Sequence, residues 1–349
     1  MVPPIGISLQ YILRRIESQI YHENQSHLAG LSQLSCQKPL SFRLGTKNET
    51  GIIDEGSGTI TLYLGLDAGG SHCRARLIDE NGDILGTGHA GAANTRIGFE
   101  NSLNTLKAAW NAAIADAGLA HNDIDRIRAG VGIAGYKRAG AAEAFAAAPH
   151  PFETIRFASD AVIANLGAHA GKDGATLIVG TGSIGIIRAH GEDKTIGGYG
   201  FPVSDEASGA WIGLEAARHA VLAYDGRTEM GPLARNVLDR FGDDPVAIVR
   251  WTDRATATDY AGLAPLVVEA AQLADAGAME IVRTAAIQID AFVEALIARG
   301  ASAICLMGGL GPVLRPWLAP TTRDVLVEPR HDALTGALFL AGWTGLPRG

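Results

Sequence analysis

Residues 64–77 read LGLDAGGSHCRARL and residues 176–188 read TLIVGTGSIGIIR. Each is an apolar strand, a glycine-rich turn bearing a hydroxyl residue, and a second strand, so each predicts a hairpin. The two lie roughly 110 residues apart, a weak internal repeat that implies two related halves. Working outward from the first, the run Ile60 to Asp67 opens the ordered pattern. Glu80-Asn81-Gly82-Asp83 signals a turn before a short strand, ILGTGHA (84–90). Phe99 to Leu119 has helical spacing, with Leu103, Leu106, Trp110 and Ile114 on one face. Ile127 to Ile133 returns to strand character and Gly135 breaks it, and IRFAS (155–159) runs into AVIANLGAH (161–169). After the second hairpin the pattern gives a turn at Gly191-Glu192-Asp193, a strand to Tyr199, helices over Ser208–Ala223 and Pro265–Arg299, strands at Ala303–Met307 and near Val325, and a helix from Asp332 to Gly342. This is an α/β chain of two similar lobes.

A length of 349 residues suits two domains of ordinary size. The net charge of −8 argues against a nucleic-acid partner. It does not argue against a nucleotide, whose phosphates can be held by backbone amides and a metal. Cys36, Cys73 and Cys305 are far apart, which excludes a zinc or iron–sulfur motif set by spacing and suits a reducing compartment. No run of about 18 apolar residues spans a membrane, and no secretory leader is evident. A cytoplasmic protein is expected. Residues 1 to about 58 contain a single alanine, Ala29, and are rich in Ser, Gln and Asn. They are expected to be a poorly ordered extension, with Tyr11 to Ile20 able to form a short amphipathic helix.

Three glycine loops follow strands. In Asp67-Ala68-Gly69-Gly70-Ser71 a carboxylate ends the strand, where it could hold Mg²⁺, and the glycines would let backbone amides approach a phosphate. An ordinary hairpin turn accounts for the same residues. Gly180-Thr181-Gly182-Ser183-Ile184-Gly185 matches GxGxxG, but a strand and not a helix follows, so the dinucleotide reading fails its context. A phosphate loop inside a hairpin fits better. Met307-Gly308-Gly309-Leu310-Gly311-Pro312 could offer backbone to an adenine or ribose, or merely connect strand to helix.

Among the carboxylates, Asp160 is either the N-cap of the helix after IRFAS or a base at a strand's carboxyl end. Asp205 and Glu206 are either caps for the helix starting near Ser208 or part of a polar ligand site. His72, His89, His190 and His331 are scattered and read as surface or satisfied residues.

The order of these elements resembles the actin/hexokinase superfamily: Gly-rich hairpin, Asp after a strand, second Gly-rich hairpin, SDEAS loop, late GG loop. Within it GGYGFPVSDEASGAWIG (197–213) is similar to the BadF/BadG/BcrA/BcrD ATPase family, which includes N-acetylglucosamine kinases. DAGGSHCRARL (67–77), IVGTGSIGII (178–187), RWTDRATATDYAGLAP (250–265) and ICLMGGL (304–310) resemble its bacterial glucosamine kinases, and the likeness covers about residues 60 to 343. The resemblance implies two ribonuclease-H-like (actin-like ATPase) lobes around a central cleft. The expected divisions are 1–58 for the extension, 59–160 completed by a C-terminal helix over about 332–349, and 161–331.

It also implies ATP-dependent phosphorylation of the 6-hydroxyl of glucosamine, with N-acetylglucosamine as the alternative substrate. Asp67 would help hold Mg²⁺; Gly69, Gly70, Ser71, Thr181 and Gly182 would cradle the ATP phosphates; Gly308 and Gly309 would contact the adenosine. Asp160 would be the general base, and Asn94, Gly197, Gly198 and Asp205 would hydrogen-bond the sugar. Tyr199 stands where family members often have Trp, and SDEAS where many have GDEGS, differences that bear on substrate rather than on chemistry. A cysteine pair for a bridging iron–sulfur cluster, as in the family's dehydratase activators, is lacking. A non-catalytic ATP-dependent sensor is the alternative of another class, against which the joint presence of Asp67, Asp160, Thr181 and Asp205 counts. The partners expected are the amino sugar and ATP, with no nucleic acid and no membrane; a homodimer is allowed.

Overall fold

A computed structural model describes residues 61–345; the extension read over residues 1–58, with Tyr11–Ile20, lies outside the described residues. The first hairpin is β1 (Leu62–Ala68) and β2 (Cys73–Ile78), extended by β3 (Ile84–Ala90); β4 (Ile127–Ile133) and β5 (Thr154–Ser159) join the other edge of β1. This five-stranded sheet runs β3-β2-β1-β4-β5, with β1 antiparallel to β2 and parallel to β4. The second hairpin is β6 (Gly174–Val179) and β7 (Ser183–Ala189), followed by β8 (Glu192–Gly197), then β9 (Ile304–Met307) and β10 (Leu326–Val327). Its sheet runs β10-β9-β6-β7-β8, with β6 antiparallel to β7 and parallel to β9. Position for position the two topologies are identical, so the repeat seen in the two hairpins extends to whole sheets. The α/β, two-lobed architecture expected from the sequence is the one observed.

Two details differ from expectation. The second lobe's turn is His190-Gly191, both left-handed (φ 55° and 79°), and Glu192 and Asp193 already pair with Ala189 and Arg188. A two-residue loop with both φ values positive matches the twist of the flanking strands, whereas a type I or II turn would splay them. The helical stretch expected across 265–299 is two helices, Ala264–Gln272 and α4 (Ala276–Ile297), because Asp275 turns its carboxylate onto the amides of Ala278 and Leu233 and starts a new helix.

β1 is buried along most of its length because both faces of the sheet are covered. Leu62, Leu64, Leu66 and Ala68 pack into one cluster with Leu103, Leu106 and Trp110 of helix α1 (Phe99–Asp116). Each fully buried leucine contributes about 1.5–3 kcal/mol. The opposite face meets the C-terminal helix α5 (Ala333–Ala341), which lies close enough that a Cβ on Gly130 would strike the Ala337 carbonyl. A second cluster joins β6 to α4 and to α3 (Gly209–Tyr224) through Leu177, Val179, Ile212, Ile289 and Phe292. Helix α2 (Asp160–Ala168) ties the lobes together, since Ala161, Val162 and Leu166 pack with Ile186 of β7. Among the described residues no helix is long and apolar enough to cross a membrane.

Candidate active site

Parallel strands place their carboxyl ends, and the loops that follow, at one edge of a sheet. In the first sheet Ala68, Ile133 and Ser159 form one row, so the loops bearing Gly69–Ser71, Ala134–Gly140 and Asp160 emerge side by side. Gly69 donates its amide to His72 O at 2.9 Å and accepts from Ala93 N at 3.1 Å, which ties the first glycine loop to the segment carrying Asn94. Asn94 is buried, and its side-chain oxygen accepts from Arg96 N at 2.9 Å, capping a short turn. Gly70 and Ser71 are exposed at the loop tip.

Asp160 is not the N-cap. Ser159 takes that position, accepting from Val162 N at 3.3 Å, and Asp160 is the first helical residue, accepting from Ala161 N at 2.9 Å. The cap is a hydroxyl because Ser159 has the extended backbone (ψ 156°) that a cap needs. Asp160 is exposed at its surface yet closely surrounded by protein atoms. Burial pushes its carboxyl above the ordinary aspartate range, the amide of Ala161 opposes this, and the Asp67 carboxylate pushes the same way.

Asp67 pairs with Arg74 at 2.7 Å through one oxygen. Two neighbouring carboxylates that repel each other, with one oxygen of Asp67 uncommitted to Arg74, fit a hard divalent cation that keeps most of its ligands as water and phosphate oxygens. Cys73 beside them is inert: burial, then Asp67, push its thiol up to about 12.

In the second lobe three loops converge. Gly180 N bonds Gly182 O at 2.9 Å, and the N-terminus of α3 sits directly on this loop, with Gly209 N and Ala210 N donating to Gly180 O and Thr181 O at 2.8 and 3.1 Å. Leu310 N donates to Val179 O at 3.2 Å, bringing Gly308 and Gly309 alongside. Gly308 has φ 89° and sits on the backbone of Val179, which no side chain would permit, whereas Gly309 is open on its exposed side. Gly197 and Gly198 end β8 with φ 67° and 72° and lie against Phe292 and Ile184.

Asp205 and Glu206 do not cap α3 either; Ser208 does, accepting from Trp211 N at 3.2 Å. Asp205 (φ 69°) and Ala207 (φ 61°) are both left-handed, a strained arrangement held by its surroundings. Ala207 N donates to Gln288 Oε1 at 2.7 Å and Ser183 Oγ donates to the Glu206 carbonyl at 2.7 Å. The Asp205 carboxylate lies over Gly182, where a Cβ would meet its Oδ2 at 2.8 Å. Burial raises its carboxyl, while the amides of Ser183 and Phe201 hold it down, Glu206 pushes it up, and Arg96 from the first lobe holds it down. Asp205 therefore faces the Gly180–Gly182 loop and also feels Arg96 of the first lobe.

The sequence reading missed Gln288, Arg96 and Lys137. Gln288 carried a signal, since it falls in the row Ile281, Ala285, Gln288, Phe292 where helical spacing otherwise buries apolar residues. Arg96 and Lys137 sit in polar loops and carried none.

The chain matches the BadF/BadG/BcrA/BcrD ATPase family profile over residues 64–341. It is 38% identical to the glucosamine kinase GspK of Vibrio cholerae over 280 residues, 80% of this chain and 95% of that protein. The solved structure of a candidate N-acetylglucosamine kinase from Chromobacterium violaceum superposes with a TM-score of 0.72 at 38% identity, covering 81% of this chain and 99% of that one. A second candidate N-acetylglucosamine kinase, from Porphyromonas gingivalis, shares the fold with a TM-score of 0.58 at 20% identity, covering 80% and 98%. With a family match over most of the described residues and two relatives at 38% identity, the chain belongs to the BadF/BadG/BcrA/BcrD ATPase family.

Proposed function

We propose that this protein is an amino-sugar kinase that transfers the γ-phosphoryl group of ATP to the 6-hydroxyl of glucosamine. The observation that carries the substrate is the 38% identity to a glucosamine kinase across 95% of that protein. N-acetylglucosamine is the second reading, favoured by the likeness to the Chromobacterium violaceum structure.

In this reading Asp160 accepts the proton of the attacking hydroxyl, and Asn94, Gly197, Gly198 and Asp205 orient the ring. Gly69, Gly70, Ser71, Thr181 and Gly182 hold the phosphates through backbone amides and hydroxyls. Gly308 and Gly309 give the adenosine a surface without side chains. Asp67 would hold Mg²⁺, which when bound supplies neutralisation of phosphate charge. The lobes, 59–160 with the C-terminal helix and 161–331, would close to exclude water and suppress hydrolysis.

The direct test is ADP release by the purified chain with Mg·ATP and glucosamine, N-acetylglucosamine, glucose or no sugar. Release that depends on glucosamine supports the first reading; preference for the acetylated sugar moves it to the second; sugar-independent behaviour with ATP bound removes both.

A pH dependence follows from Asp160. A general base works ionised, and its carboxyl is raised, so kcat/KM should fall with decreasing pH along a limb above the ordinary aspartate value of about 3.9. A pH–rate profile flat down to that value would remove Asp160 from the role of base.

A further inference from the structure

We propose, on the kinase reading above, that Lys137 is a positioning residue that couples the two halves of the sugar site across the mouth of the cleft. Lys137 lies in the loop after β4 of the first lobe, and its Nζ donates to Thr195 Oγ1 on β8 of the second lobe at 3.2 Å. Both ends of this bond lead directly to candidate sugar contacts. On one side, Thr95, adjacent to Asn94, donates its amide to Ala134 O and its hydroxyl to Gly135 O, each at 3.1 Å, which ties the Asn94 turn to the Lys137 loop. On the other side, Thr195 stands two residues before Gly197 on the same strand. Ile184 and Phe292 hold the Gly197-Gly198 turn in place.

Charge reinforces the contact. Asp193, on the same strand, faces Lys137 and Arg188, with Arg188 Nη1 3.5 Å from its Oδ2, and Asp193 Oδ1 is buried without a hydrogen-bond partner. An ammonium is therefore drawn to this spot by an opposite charge whose acceptor capacity is incompletely used. Helix α2, which packs beside β4 and β5, also bonds to the second sheet, through Asn165 to Thr176 (2.7 Å) and to Gly174 O (3.2 Å). Asn165 lies within α2, whereas Lys137 lies in the loop at the carboxyl end of β4, beside the candidate sugar contacts. Losing it would widen the sugar half of the cleft while leaving the glycine loops intact.

An exposed lysine–hydroxyl bond is weak, so the expected change is modest but selective. Lys137→Met and Thr195→Val should each raise the KM for glucosamine about three- to tenfold in the ADP-release assay, with the KM for ATP changed by less than about twofold. Lys137→Arg should restore most of the loss, and the double variant should be no worse than either single one, because both remove the same bond. An unchanged sugar KM overturns the proposal, and so does an equal rise in both KM values, which marks a general structural defect. Wild type run in parallel separates the two readings. If it releases ADP in response to sugar while Lys137→Met behaves identically, the positioning role alone fails; if wild type shows no sugar response, the kinase reading fails and this role with it.

Discussion

Asp160→Asn should lower kcat about a thousandfold while leaving the KM for ATP within about twofold. The amide is isosteric, can still accept from Ala161 N at the helix start, and keeps the Ser159 cap, so the local fold survives. What it loses is the capacity to take a proton from a hydroxyl nucleophile. The same substitution should not destabilise the protein. The folded state raises the Asp160 carboxyl above its unfolded value, so the folded state binds more protons and its stability declines as pH rises through the folded pKa. At neutral pH the ionised carboxylate is a liability, crowded by protein and facing Asp67. Asn removes that charge, and the thermal midpoint of Asp160→Asn at pH 7 should equal or exceed that of wild type. Loss of turnover accompanied by a lower midpoint would instead identify Asp160 as a structural residue.

Gly336→Ala should destabilise the protein by about 2–3 kcal/mol, although alanine is favoured over glycine inside a helix by about 1 kcal/mol. Gly336 lies in α5, where a Cβ would strike the carbonyl of Ile163 in α2 and lie 2.7 Å from Gly167 N. These are backbone atoms, which cannot rotate aside as a side chain would. Either the two helices separate or α5 shifts on β1 and β4, where it already sits against Gly65 and Gly130. Both movements open the packing that ties the lobes together. The measurement is urea unfolding, with the midpoint expected to fall at an unchanged slope. A midpoint at or above wild type would mean that helix propensity outweighs the contact. Because α2 begins with Asp160, the variant should also lose activity through displacement of that residue.

The paired hairpins were legible in the sequence because their causes are local. An apolar β-branched run, a turn rich in glycine and a second such run specify strand, reversal and strand without reference to distant residues, and the same arrangement twice implied two sheets alike. The candidate carboxylates were legible for the same reason, since strand ends and loops can be read along the chain. Their geometry was not. Neither aspartate read as an alternative cap proved to be one: Ser159 and Ser208 take the amides, a choice decided by backbone angles at single residues.

By itself the sequence determined the succession of strands, the repeat and the set of polar loops at strand ends, all of which depend on neighbours in the chain. Only the tertiary structure decided that Asp205 leans over Gly182, that Gln288 reaches the Ala207 amide, that Gly336 must lack a side chain and that Lys137 meets Thr195. Each depends on how closely two distant segments approach once both lobes are packed, and side-chain volume and hydrogen-bond geometry at a few ångströms have no signature in residue order.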